Sequence, residues 1–575
     1  MSTIDQLKRS LGTGTGSGSL SLYQVLRSPR LLLVPILLLL LVMFVGPMLI
    51  LILFSLQSGN ALSLNPAAWT FASYTEFVNG MISGSGVYGV VLSTTVYISA
   101  LTVVFSLLIG YPAAYALARK IHRFKVVLIV LIILPLLTSV TMRMLGWTMF
   151  LMKDGVLFSL LGFFGYTPPT MLYKSSTILL GTTYTYLPFM LFPIYLSMLS
   201  ISESLYTASE DLGASRLKLF KDVVWPMSKP GVVIGSLFVF SLSLGASVEA
   251  ELLGGGSAYT MATNIGYSFG VAQNFPLGSV QAVSLLLIAG FSGVYILRRL
   301  DLEEIAARSG GGAGHASAQN SRTEDAVWYG YIGLVSLFLM LPMIAIVVAS
   351  THDARVFGLP YNFTLDWYQQ AITNGSVRTA ITNTLKIAVP VTILSTIVGT
   401  SAAIGYTRYD FKGQEWFKIF VLLPIFFPLL IVGLGMSMWS NVIGLGNGIP
   451  QTIIAEMVWI SPIVMFVVSI TALGIDPNIE EAARDLGAST PKMYRDITLP
   501  LLADGIISGA IFAFVLAWNN YHIASYMSGS NIIVTTWIHS RLTQGFSALV
   551  PGVAGLLFFI SSLAVVFAFW IEYRG

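Results

Sequence analysis

Twelve apolar runs, each long enough to cross about 30 Å of hydrocarbon, leave this 575-residue chain few folds to choose from. They fall at roughly 31–56, 90–118, 125–150, 177–199, 231–249 and 277–298, then at 328–350, 379–407, 417–440, 452–473, 506–523 and 550–571. A spanning segment must satisfy its backbone polar groups internally, and runs of this length do so as helices. Only 10% of the residues are charged, against about 25% in a soluble domain. The fold class expected is therefore all-α: a polytopic membrane protein of about twelve helices. There is no cysteine, which removes disulfides, thiolate metal sites and cysteine nucleophiles.

The twelve runs form two sets of six. Residues 1–30 read as a tail, with a Gly/Ser/Thr-rich stretch at 12–21. Residues 31–307 form the first six-helix domain and 327–575 the second. Between them, 308–326 is rich in Gly, Ser and Ala and reads as a flexible linker that joins two bundles side by side. The halves repeat one another. At an offset of 289, Gly110, Ala113, Ala114, Arg119, Leu134 and Pro135 meet Gly399, Ala402, Ala403, Arg408, Leu423 and Pro424. Six spans is an even number, so both halves insert the same way up and the repeat is parallel. With the N-terminus inside, 23 of the 30 Lys and Arg lie in inner segments and five in outer loops, while Arg143 and Lys386 fall within spans. The positive-inside rule thus places both termini in the cytoplasm.

A polar segment between the fourth and fifth spans also occurs twice. Thr207 to Pro226 aligns without a gap on Glu481 to Pro500 at an offset of 274. Shared positions include Ala208/Ala482, Asp211/Asp485, and Leu212-Gly213-Ala214-Ser215 against Leu486-Gly487-Ala488-Ser489. Gly213 and Gly487 suit a turn that needs a positive φ. Leu212, Leu217 and Phe220 are expected to form an apolar ridge in one copy, and Leu486, Met493 and Tyr494 in the other. A ridge of this kind fits a groove on a cytoplasmic partner.

This segment resembles the E-A-A loop of permeases from bacterial ABC importers. Glu481-Ala482-Ala483 and Gly487 follow that pattern, while the first copy departs from it at Thr207 and Ser209. Tyr111 to Arg119, Leu134-Pro135 through Trp147, and Leu252 to Gly255 look like the first permease of spermidine/putrescine importers. Tyr406 to Phe411, Ile475-Asp476-Pro477 and the stretch after Ala517 look like the second, as though the two were fused. Importers for ferric ion, thiamine, phosphonates and opines share these features. The resemblance implies a type I permease fold whose two loops dock on two ATPase subunits, with an extracytoplasmic solute-binding protein delivering cargo. It also implies a bacterial inner-membrane location. No G-x-x-x-x-G-K-[ST] occurs in the chain, so ATP is expected on the partner subunits and no cofactor here. No catalytic residue, metal site or nucleic-acid partner is expected. A twelve-helix secondary transporter is the alternative of another class, but it needs no repeated docking loop.

Ionisable groups within spans usually face a cavity or a partner. Arg143, Glu249 and Glu251 are candidates for the substrate path, together with Trp518, Asn519 and Asn520 at the corresponding place in the second half. The two glutamates are expected to serve one cationic solute. Outer-loop aromatics Trp69, Tyr74, Trp367 and Tyr368 are candidates for a binding-protein interface or for interfacial anchors.

Overall fold

The computed structural model describes residues 29–574, apart from 60–63, 84–85, 154, 200, 202–204, 207, 210–212, 257–258, 300–321, 354–360 and 545–546. These residues are helical, and the only β-bridges among them are two isolated ones, Gln57–Trp69 and His352–Phe363. In the first half the principal helices are α1 (Leu31–Ser55), α2 (Val87–Lys120), α3 (Lys125–Leu137), α4 (Val140–Leu151), α5 (Ser175–Leu199), α6 (Trp225–Ser243), α7 (Ser247–Gly254) and α8 (Phe275–Arg299). The second half follows with α9 (Arg322–Ser350) and α10 (Gly375–Thr407), α11 (Gln414–Phe426), α12 (Leu429–Val442), α13 (Ile449–Leu473), α14 (Asn478–Asp485), α15 (Ala503–Asn519), α16 (His522–Met527), α17 (Val534–Gln544) and α18 (Leu549–Arg574). Nine helices among the described residues are long and apolar enough to cross a membrane, and eleven are if each sharply bent pair counts as one span.

The third span of each half differs from the continuous run expected. In the third span of each half the first segment ends in a 3₁₀ turn, Leu134–Leu137 or Leu423–Phe426. Pro135 and Pro424 sit inside these turns, where a missing N–H breaks the α-helical ladder. The chain then turns extended at Thr138 and Phe427. In the second half α11 and α12 meet at 99°. The fifth spans stop at Ser243 and Asn519, and separate short helices α7 and α16 follow.

The two sets of six helices also pack into one another. Leu33, Ile36 and Leu40 of α1 belong to a core with Ile387 and Val391 of α10 and with Val464 and Met465 of α13. Reciprocally, Ile332, Val335 and Leu339 of α9 join Met144 and Trp147 of α4 and Tyr184 and Leu187 of α5. Each half thus lends its first helix to the other. Both helices are apolar all round, so hydropathy alone gave no partner. The tail 1–28 and linker residues 308–321 lie outside the described residues. The final five positions of the expected linker, Arg322 onwards, are the first turn of α9. Glu324 in that turn pairs with Lys120 at 2.9 Å.

The repeat extends to the loops that follow the first span of each half. Tyr74 bonds Ser55 at 2.8 Å, and Tyr368 bonds Ser350 at 2.7 Å. Trp367 donates to the His352 carbonyl at 2.8 Å. Three of the four loop aromatics are therefore internal ties, and Trp69 is the one left exposed.

Candidate functional site

Each repeated polar loop is built around a positive-φ glycine. Gly213 has φ +72° and Gly487 φ +85°, values an L side chain rarely adopts. The same hydrogen bond closes both turns: Ala214 N donates to Ser209 O and Ala488 N to Ala483 O, each at 3.0 Å. In the second loop α14 carries Glu481, Ala482 and Asp485 on its exposed face and Ala483 inward. Leu486, at 90% exposed, stands at the tip. Ala208 is exposed in the first loop, whereas Asp211 and Leu212 lie outside the described residues.

The expected ridges are only partly present. Met493 is fully buried. Tyr494 hydrogen-bonds Tyr409 at 2.5 Å, and burial together with that bond raises its phenol pKa. With Met493 buried and Tyr494 bonded within its own half, Leu486 is left as the projecting apolar group. In the first loop Phe220 packs edge-on against Tyr111 at 5.9 Å, and Leu217, 78% exposed, projects instead.

What holds each loop to the bundle is an arginine whose part the sequence reading missed. Arg408, at the end of α10, donates to the carbonyls of Ala472 and Ile475 at 2.9 and 3.5 Å, and its Nε meets Glu480 at 2.9 Å. Glu480 also accepts from Thr498 at 3.2 Å. Both members of the ion pair are nearly buried, at 6% and 5% side-chain exposure. In the first half Arg119 donates to the Met198 and Ile201 carbonyls and lies 4.4 Å over the Tyr206 ring. Burial raises the Tyr206 phenol to about 12, so a neutral ring faces the guanidinium. Tyr206 and Glu480 are equivalent positions at the 274 offset. Each loop is thereby tied to the end of its own second and fourth spans.

The broken spans meet across the two halves. The 3₁₀ turns free the carbonyls of Leu137 and Phe426, which are equivalent at the 289 offset. Asn519, at the end of α15, donates to Leu137 O at 2.9 Å. Ser241, near the end of α6, donates to Phe426 O at 2.8 Å. Phe238 packs edge-on against Phe426 at 5.0 Å. Gly245 approaches Pro428 so closely that an added Cβ would lie 2.6 Å from the proline ring. Each fifth span therefore caps the broken third span of the opposite half, in a nearly twofold arrangement.

Around this junction the sequence candidates separate. Trp518 packs against an apolar cluster that includes Met142 and Trp537 and stacks on Phe514 at 6.0 Å. Asn520 caps α16 through Ile523 N at 3.1 Å, and its carbonyl accepts from Thr535 at 2.9 Å. Glu249 and Glu251 do not share a site. Two residues apart on α7, they face opposite sides of the helix. Glu249 is buried within the first half near Arg143 of α4. Glu251 is 47% exposed and meets His539 of α17 at 3.3 Å, across the two halves. His539 packs on Tyr521 at 4.4 Å. Ser247, also on α7, lies 3.4 Å from His522 Nδ1. An acidic and aromatic patch thus forms between α7 of one half and α16 and α17 of the other. His539 escaped the sequence reading because it lies 288 residues from Glu251 and outside the repeated motifs. Among the described residues, no group of three or more His, Asp or Glu is placed to hold a metal ion.

Comparison with known proteins gives the same fold and the same duplication. Residues 95–302 and 395–573 each match the family described as binding-protein-dependent transport system inner membrane component. The chain is 29% identical over 253 residues to the spermidine/putrescine transport system permease protein PotB of Escherichia coli, covering 44% of this chain and 90% of that protein. The Haemophilus influenzae PotB is 29% identical over 221 residues, 38% of this chain and 75% of that protein. The permease protein PotC of Escherichia coli is 26% identical over 239 residues, 41% of this chain and 90% of that protein. The chain belongs to the binding-protein-dependent transport permease family, as a fusion of two of its inner membrane domains.

Proposed function

We propose that this permease forms the translocation path of an ATP-driven importer for a small amine-bearing solute, a polyamine or a related cationic compound. Two equivalent loops, each tied by an arginine to the ends of two spans, carry this reading. Their exposed faces present Ala208, Gly213, Ala214 and Leu217 in one half and Glu481, Ala482, Asp485, Leu486 and Gly487 in the other. One ATPase subunit docks on each, in the cytoplasm, where both termini also lie. ATP is held and hydrolysed on those subunits, and this chain contributes no nucleotide site. A solute-binding protein delivers cargo to the outer face.

Closure of the two ATPases moves the loops. The arginine ties pass that movement to the second and fourth spans, and the interlocked third and fifth spans then part. Rocking of two similar halves about a central axis alternates access to the path between them. The Glu251, His539 and Tyr521 patch supports passage of an amine, because a carboxylate beside aromatic faces favours a cation.

The test is ATP hydrolysis by the full chain reconstituted with its ATPase and binding protein, screened with putrescine and spermidine. Stimulation by the loaded binding protein is expected. Failure of the chain to associate with any ATPase would overturn the reading.

A further inference from the structure

Between α6 and α8 the first half leaves an open seam. Its walls include Leu237 and Phe240 of α6 and Leu287, Phe291, Ser292 and Tyr295 of α8, around a volume of about 710 Å³. That lies within the ~300–1,000 Å³ of typical ligand clefts. The one buried polar side chain on these walls, Ser292, already donates to the Ala289 carbonyl at 2.8 Å, so nothing there calls for a polar solute. Leu287 is 70% exposed and Phe291 81%, and both reach outward from the bundle. Leu287, Phe291, Tyr295 and Arg299 follow one another at intervals of four along α8, and Lys229, Val233 and Leu237 do the same along α6. Residues four apart share a helix face, so each apolar row ends in a cation.

The fifth and sixth spans cross in opposite directions, so the start of α6 and the end of α8 lie at the same mouth, on the side of the repeated loops. Lys229 precedes Leu237 by eight residues and Arg299 follows Phe291 by eight, about 12 Å along each helix. The Arg299 guanidinium lies 5.7 Å over the Tyr295 ring, along the seam, whereas Arg298 turns to Trp416 at 5.4 Å. Lys229 and Arg299 are exposed, and no carboxylate among the described residues lies within 4.0 Å of either. We propose that this seam binds one anionic phospholipid from the leaflet on the side of the repeated loops. An acyl chain lies along Leu237, Phe240 and Phe291, and the phosphate is held between Lys229 and Arg299. Basic side chains at headgroup depth attract anionic lipid, and a guanidinium matches a phosphate with paired hydrogen bonds. A zwitterionic lipid brings its own ammonium group to the same mouth and is held less tightly. The second half repeats the apolar wall without the charge: at the 274 offset Leu237 and Phe240 meet Ile511 and Phe514, but Lys229 meets Ala503. α6 also presents Phe238 and Ser241 to Phe426 of the opposite half. The bound lipid therefore braces, from behind, the helix that caps a broken span. The inference needs the chain to span the membrane and is independent of the solute it carries.

Native mass spectrometry of the full-length chain tests it, after equilibration in detergent with equal amounts of phosphatidylglycerol and phosphatidylcholine of the same acyl chains. The wild type is expected to retain one phosphatidylglycerol, preferred by about tenfold or more. Lys229→Gln combined with Arg299→Gln is expected to cut that preference to about twofold or less. Leu287→Trp, which crowds the seam, is expected to lose retention of both lipids. Arg123→Gln combined with Lys412→Gln removes two exposed cations from the same membrane face, away from the seam, and should leave the preference unchanged. All these positions are exposed, and thermal unfolding of each sample reports its fold. Equal retention of the two lipids by the wild type overturns the site, whatever the variants do. So does a preference that survives the loss of Lys229 and Arg299, or one that falls as far in the Arg123 and Lys412 control.

Discussion

At the scale of single residues, the informative comparison is Arg408 with Arg119. The sequence repeat aligned the two arginines, and their shared carbonyl contacts follow from that alignment. Their third partners were not legible, because Glu480 and Tyr206 are equivalent positions with unlike side chains, and a search for identities passes over them. The difference has an energetic consequence. Arg408→Met strands a buried carboxylate, and losing one partner of a buried pair costs about 3–5 kcal/mol. Arg119→Met removes hydrogen bonds and a cation–π contact but leaves no buried charge, so its cost is smaller, about 1–3 kcal/mol. Thermal unfolding of the purified variants should therefore rank Arg408→Met well below Arg119→Met. Equal midpoints would mean that the Glu480 pair adds nothing. The glycines give a second residue-scale test. Open space surrounds a Cβ built at Gly213 or Gly487, so the penalty on substitution is backbone strain alone, about 1–2 kcal/mol. Gly487→Val should weaken ATPase co-purification while membrane insertion and expression stay normal. Co-purification at the wild-type level would separate the turn from docking.

Elements add what residues alone do not. The breaks in the third spans were written in Pro135, Pro424 and Pro428, yet hydropathy counted each run as continuous, because a proline lowers apolarity little while ending the ladder. Which carbonyls the breaks would free, and what would cap them, depended on contacts between residues as much as 382 positions apart. Those caps join opposite halves at the place where the path must open. Asn519→Leu keeps the branched shape and removes the bond to Leu137 O, and Ser241→Ala removes the bond to Phe426 O. Each change costs about 0.5–1.5 kcal/mol of the interlocked state, and the two act at separate contacts. The double variant should therefore raise ATP hydrolysis without binding protein by several-fold, since less energy is needed to part the halves. Basal hydrolysis that stays at the wild-type rate in the double variant would show that these bonds do not hold the path shut. At the loop tips, Leu486→Asp should reduce ATPase co-purification more than Met493→Leu, because Leu486 projects into water and Met493 is already buried.

On the scale of the whole molecule, the exchange of first helices changes what the linker is for. Two independent bundles would need residues 308–326 to stay together. Here α1 packs on α10 and α13, and α9 packs on α4 and α5, so each half completes the core of the other. The sequence announced two domains of six spans, and it was silent on the exchange, because α1 and α9 present apolar residues on every face and any neighbour would satisfy them. In a bilayer no hydrophobic force sorts such helices, and close packing decides the partner. The exchange makes separation costly in a way a tether does not. Consider the chain cut within 308–321 and the two parts co-expressed. Each part alone lacks the helix that covers its core and should be degraded or aggregate. Together they should assemble through the exchanged helices, co-purify through a tag on either part, and retain ATPase association. If each part is instead stable alone and the two fail to co-purify, packing across the halves is too weak to hold them and the covalent linker is what keeps the path intact.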